Sequence, residues 1–239
     1  MNTEVKLHPS TELLNQFVQG ELVTGKSVVI SAHMELCNAC SAKAKELQSF
    51  AVSSWVDHGD GLQTDQSIEA DHSIMVASIV KLPQTKSEQI EEQIEELVEV
   101  DIDVLNHSIR LPKVLAKAVL QGLKWKKVAG GISEAQLFLD NETLCEFIYM
   151  APGCEVPVHT HQGSESTLVL DGSFEDELGE YKTSDFIIRD AQHNHQPRSK
   201  EGCLCFAVLD SPLKFTEGFA RLMNPVNLYK FKKATSRVA

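Results

Sequence analysis

The sequence has no apolar run approaching the roughly 18 residues that a helix needs to cross a bilayer, so no membrane span is expected. Its first residues, MNTEVKLHPS, lack a basic stretch followed by an apolar one, and no secretory leader is expected either. Basic side chains are scarce: 22 Lys and Arg stand against 34 Asp and Glu, a formal charge of −12. That charge repels a phosphate backbone and argues against direct binding of nucleic acid. It suits a basic partner, although acidity also serves solubility alone. No phosphate-binding loop, dinucleotide fingerprint, serine-histidine-acid pattern or internal repeat is found. A cytoplasmic location is therefore expected, where the six cysteines point to thiol or metal chemistry rather than a disulfide scaffold.

At 239 residues and 42% hydrophobic content, the chain has room for one large or two modest domains. Its most informative stretch is Gly153 to Gly172, GCEVPVHTHQGSESTLVLDG. Residues two apart on a strand share a face, so His159 and His161 point the same way. A short turn brings back Glu165, where the next strand opens. Two imidazoles and a carboxylate converging on one point suit a divalent ion of the zinc, iron, manganese or nickel group. A further histidine is expected from Ser184 to Pro197, SDFIIRDAQHNHQP: His195, with His193 two residues earlier as its competitor. The spacing G-x5-H-x-H-x3-E-x6-G resembles the first cupin motif, and Ser184 to Pro197 resembles the second more loosely. Ser184, Asp190 and Gln192 stand where the family has Gly, Pro and Gly. The resemblance implies a β-barrel of jelly-roll type with His159, His161, Glu165 and His195 as metal ligands, zinc first among the candidates.

The second cluster lies near the N-terminus. Pro9 and Ser10 start a helix whose stripe of Leu13, Leu14, Phe17 and Val18 ends near Gly20. A second helix is expected from about Lys26 to Leu36 after a break at Gly25, and a third from Cys40 to about Trp55. His33-x3-Cys37-x2-Cys40 puts His33 and Cys37 one helical turn apart, with Cys40 at the start of the third helix, where the helix dipole lowers a thiol pKa. C-x2-C alone also fits a redox pair. Three ligands are too few for a closed zinc site, and His8, just ahead of the first helix, is the candidate fourth. Together, His8-Pro9 followed by HxxxCxxC resembles the zinc-binding anti-sigma domain over residues 5–55. The resemblance implies that zinc holds a three-helix platform together, with a fourth helix set apart.

Between these units, about 56–86 is polar and loop-like, with an apolar interlude at 74–82. Ser87 caps an amphipathic helix, 87–100, with Ile90, Ile94, Leu97 and Val98 on one face and glutamates on the rest. Its stripe packs within its own domain or, by the resemblance, clasps a partner together with Leu13 and Phe17. From Leu111 an approach helix leads to strand-like runs at 136–139, 143–150, 167–170, 185–189 and 204–209. Cys203 and Cys205 share a strand face, either inward, placing oxidisable sulfur near the metal, or outward.

The expected class is therefore α+β, with a helical unit at 1–100 and a barrel at 111–235. An anti-sigma unit ahead of a single cupin resembles the ChrR-type anti-sigma factors. That implies a regulator which holds an ECF-type (group IV) sigma factor, and whose metal-loaded barrel senses an oxidative signal such as singlet oxygen or an organic peroxide. It needs no membrane, and its barrel is a place where two copies can pair. The rival expectation is a metal-dependent cupin enzyme, such as a dioxygenase, fused to a zinc-binding interaction domain.

Overall fold

The computed structural model describes residues 7–57, 81, 99–101, 108–120, 122–128 and 130–236. The chain opens with three helices, α1 (Thr11–Val18), α2 (Thr24–Leu36) and α3 (Asn38–Asp57). Ser10 caps α1, its side chain accepting from the Leu13 N–H at 3.1 Å. Gly25 does not break the chain as expected; it lies in the first turn of α2. Its N–H donates to Oδ2 of Asp140 at 2.6 Å, so a carboxylate more than a hundred residues away caps the helix and complements its dipole.

A short ladder of β1 (Glu99–Asp101) and β2 (Ser108–Arg110) follows. Glu99 and Val100, expected at the end of a helix, are thus paired as a strand, and the rest of that helix lies outside the described residues. So does the 74–82 interlude, apart from Lys81. Next comes α4 (Lys113–Ala118), whose first N–H groups are received by Glu35 of α2: Lys113 N–H at 2.6 Å and Val114 N–H at 3.0 Å.

The remaining strands are β3 (Trp125–Lys127), β4 (Ile132–Leu137), β5 (Leu144–Met150), β6 (Cys154–Glu155), β7 (His159–His161), β8 (Glu165–Asp176), β9 (Gly179–Lys182), β10 (Phe186–Arg189), β11 (Arg198–Ser199), β12 (Cys203–Leu209) and β13 (Leu213–Phe215). The main sheet runs β3-β4-β5-β12-β8-β11-β6, with β9 and β10 also on β8 and a separate pair of β13 with β7. β8 continues through Gly172, which takes φ +72° opposite Cys203, and its register against β12 shifts at Leu170, between the pairs Leu204–Asp171 and Cys205–Val169. Expected strand 136–139 is shifted to Ile132–Leu137.

β12 is buried on both faces. Leu204, Phe206 and Val208 face outward and join Val29 and Ile30 of α2 and Leu115 of α4 in one apolar cluster, so the helices pack on the outside of the barrel. Cys203, Cys205, Ala207 and Leu209 face inward. A C-terminal helix absent from the sequence reading, α5 (Asn224–Thr235), closes one side of the interior: Phe231 and Ala234 pack on Leu144, Ala207 and Leu209. Its Lys230 reaches Glu134 at 2.6 Å and Glu146 at 2.7 Å.

Candidate metal centres

Strand β7 alternates so that His159 and His161 point inward while Thr160 is turned away, and β8 begins with Glu165. The backbone of residue 195 is bridged to that of 159 by two hydrogen bonds, 3.0 and 3.1 Å, which place His195 beside the other three. One ligand atom from each of His159, His161, Glu165 and His195 lies within 4.8 Å of those of the others, and all four side chains are buried. His193 is not in the group; its Nδ1 pairs with Asp190 at 2.8 Å.

The hydrogen bonds orient these rings for a metal. Nδ1 of His159 donates to the Pro157 carbonyl at 3.0 Å, and Nδ1 of His195 to Asp176 at 3.2 Å, so both present Nε2 inward. Nε2 of His161 lies 3.2 Å from Nε2 of His195 and 2.9 Å from Oε2 of Glu165. Ligands about 2.1 Å from one ion are separated by about 3.0–3.4 Å, so the group fits an octahedral or a tetrahedral ion. Burial, reinforced by His195, lowers His159 to about 4, keeping it neutral and available to a metal. Burial opposes ionisation of Glu165, but His161, His159 and His195 around it bring it down to about 2. Burial opposes charging of His161, but Glu165 beside it outweighs burial and raises it above the ordinary value, a proton that a bound divalent cation would displace.

Asp176 deepens the site and was not singled out from sequence. Besides His195 it receives Tyr181 Oη at 2.7 Å and Nη2 of Arg189 at 3.0 Å. Its only sequence signal is an acidic residue at the end of a strand, and nothing local ties it to position 195.

Cys203 and Cys205 lie on the inner face, among Met150, Val169 and Ile187. A hydrogen bond between the two thiols holds Cys203 below its ordinary pKa and, with burial, puts Cys205 well above it; Glu165 adds to the rise. Cys145 and Cys154 are packed among buried neighbours, and all six cysteines are free.

The N-terminal group is His8, His33, Cys37 and Cys40, three buried and His8 exposed. Nδ1 of His8 is 3.4 Å from Sγ of both cysteines, and Nε2 of His33 is 3.3 Å from Sγ of Cys40. A tetrahedral zinc ion separates sulfur from nitrogen by about 3.6 Å, so the four donors already lie near the edges of that tetrahedron. Burial and the neighbouring Cys37 push the Cys40 thiol up to about 12, against the lowering expected from the helix start. A divalent cation reverses that balance, since thiols that bind it deprotonate. Burial, with His8 beside it, lowers His33 to about 4. Leu13 and Phe17 are half-buried against the common core; Ile90, Ile94 and Leu97 lie outside the described residues.

Residues 117–211 match the family described as the ChrR cupin-like domain. Among curated proteins the chain is similar to the anti-sigma-E factor ChrR of Cereibacter sphaeroides, 29% identical over 92% of this chain and 97% of the relative. Among solved structures it is similar to the complex of Rhodobacter sphaeroides SigE with the anti-sigma ChrR: TM-score 0.66, 25% identity, covering 87% of this chain and all of that one. The acetylacetone dioxygenase of Acinetobacter johnsonii is far more distant, at TM-score 0.36 and 14% identity over 39% of this chain. The α+β layout of N-terminal helices and a cupin-like barrel is thus the one expected.

Proposed function

We propose that this chain, which resembles ChrR-type anti-sigma factors through both its helices and its barrel, is an anti-sigma factor: a regulator rather than an enzyme. The observation that carries the proposal is the extent of the likeness, which takes in 92% of this chain and so reaches well beyond the barrel into the N-terminal helices. An isolated cupin enzyme has no need of the His8, His33, Cys37 and Cys40 group. The burial of His159, His161, Glu165 and His195, with His161 only 1% exposed, also suits a sensor better than a site that must admit and release a substrate.

In this reading residues 1–100 hold an ECF-type sigma factor, with Leu13, Phe17, Ile90, Ile94 and Leu97 as apolar contacts. Zinc held by His8, His33, Cys37 and Cys40 fixes the three-helix platform, since so small a unit buries too little apolar surface to fold by that alone. His159, His161, Glu165 and His195 hold a second divalent ion, zinc first among the candidates. Cys203 and Cys205 beside it are the groups an oxidant such as singlet oxygen or an organic peroxide reaches. Oxidation changes the barrel interior, and the barrel's grip on the helices changes with it. The test is affinity purification of the tagged full chain from its native cells, with metal analysis of the same sample. A stoichiometric sigma factor and two metal ions per chain are expected; turnover of a small oxygenated substrate with no sigma factor would overturn the reading.

A further inference from the structure

The turn between β9 and β10 belongs to the barrel, yet it meets the N-terminal metal group at two points. The carbonyl of Ser184 lies 3.1 Å from Nδ1 of His33, which donates to it, leaving Nε2 to face Cys40. Asp185 receives the Leu7 N–H on Oδ1 at 3.2 Å, and the Phe186 N–H donates to the Leu7 carbonyl at 3.0 Å. Leu7 adjoins His8, so the barrel holds two of the four donor residues, one directly and one through its chain neighbour. The two cysteines are placed by α2 and α3.

This turn is itself rigidly held. Ser184 takes φ +78°, a left-handed conformation that non-glycine residues adopt only when their surroundings enforce it. Its N–H donates to the Val169 carbonyl at 2.8 Å, and the Val169 N–H to the Asp185 carbonyl at 3.1 Å. Oδ2 of Asp185 receives the Lys182 N–H at 2.9 Å. Val169 lies on β8, the strand that begins with Glu165, so one strand carries a donor of the inner group and grips the turn that orients the outer one.

We propose that Ser184 and Asp185 are positioning residues for the N-terminal metal site, so that metal affinity at His8, His33, Cys37 and Cys40 depends on the barrel's β9–β10 turn. The turn sets the tautomer and ring plane of His33 and fixes the arm that delivers His8, as outer partners of metal-bound histidines do. By linkage, anything that moves the turn weakens the metal site, and metal at that site strengthens the hold of the helices on the barrel.

The inference rests on the reading that this group binds metal, and the experiment separates the two. Cobalt(II) is titrated into the full chain against a chelator of known affinity, and the thiolate-to-cobalt charge-transfer absorption is followed. That band reports on Cys37 and Cys40 alone, because the inner group has no sulfur donor; Cys37→Ala supplies the blank. Asp185→Ala is expected to weaken cobalt binding about 10–100-fold and to alter the band. Leu7→Pro, which removes the donated N–H from an exposed arm and leaves the barrel untouched, is expected to act in the same direction. Affinity within twofold of the parent chain in Leu7→Pro, or in an Asp185→Ala chain with native circular dichroism, would overturn the proposal. A parent chain with no band would overturn the metal reading, and the positioning role with it.

Discussion

A Cβ placed on Gly25 would come within 2.3 Å of Oγ1 of Thr143 and 2.7 Å of Sγ of Cys145. The first turn of α2 therefore lies directly on β5 and the loop before it, with no room for a methyl group. Gly25→Ala forces the helix away and strains the Gly25–Asp140 hydrogen bond. A loss of about 1–3 kcal/mol in stability is expected. Guanidinium unfolding of the full chain reads it as a lowered midpoint with unchanged slope; an unchanged midpoint would mean that α2 shifts freely.

Cys37→Ala removes one of four donors from the N-terminal group. Metal content should fall from two ions per chain to one, with loss of sigma-factor binding, because zinc supplies on the order of 10 kcal/mol to folding in small zinc units. Metal analysis and pull-down on the same preparation check both. Full zinc content with native helicity would show that the donor set is different.

His161→Ala should leave sigma-factor binding intact and abolish its release under photo-oxidative or peroxide stress. A near-complete switch needs the two states of the chain to differ by about 5.5 kcal/mol in affinity for the partner. Normal release from this variant would leave the inner metal without a sensing role.

Acid should act on both centres over one range. His33 and His159 are held to about 4 in the fold, below the ordinary 6.5, burial being the first cause for each. Between those values the unfolded chain takes up protons at these two positions that the folded chain does not, so their contribution to the stability of the metal-free chain falls as pH drops from 6.5 towards 4, and Glu165, brought from 4.5 down to about 2 in the fold, carries the fall further below 4.5. Bound metal competes with the same protons and should leave over the same range. Thermal melts of metal-free and metal-loaded chain across pH 7 to 4 test this; a melting temperature independent of pH there would contradict it.

Lys230→Met leaves Glu146 buried without its counter-charge. Burial already pushes Glu146 up to about 7, with Lys230 pulling the other way. The loss should be on the order of 3 kcal/mol, at the low end for buried pairs because the lysine side chain remains 24% exposed. Adding Glu146→Leu should recover part of it, since the uncompensated carboxylate is then gone. Denaturation of the single and double variants decides the matter.

What the sequence by itself determined is local in the chain. His159 and His161 share a face because strands have a period of two, Glu165 follows across a short turn, and His33 lies near Cys37 and Cys40 because they are a helical turn and a helix junction apart. The Ser10 cap is legible for the same reason. Spacing also narrowed the fourth inner donor to position 193 or 195, and only the backbone bridge between 159 and 195 brought His195 to the group while Asp190 took His193. Tertiary structure alone decided the inward facing of Cys203 and Cys205, the closing of the barrel by α5, the support of His195 by Asp176 and that of His33 by Ser184. His33 and Ser184 are 151 residues apart, and a carbonyl leaves no mark on residue identity. Gly25 shows the limit most plainly. Glycine marks a chain break and a close approach equally well, and only the presence of Thr143 opposite it makes this one a close approach.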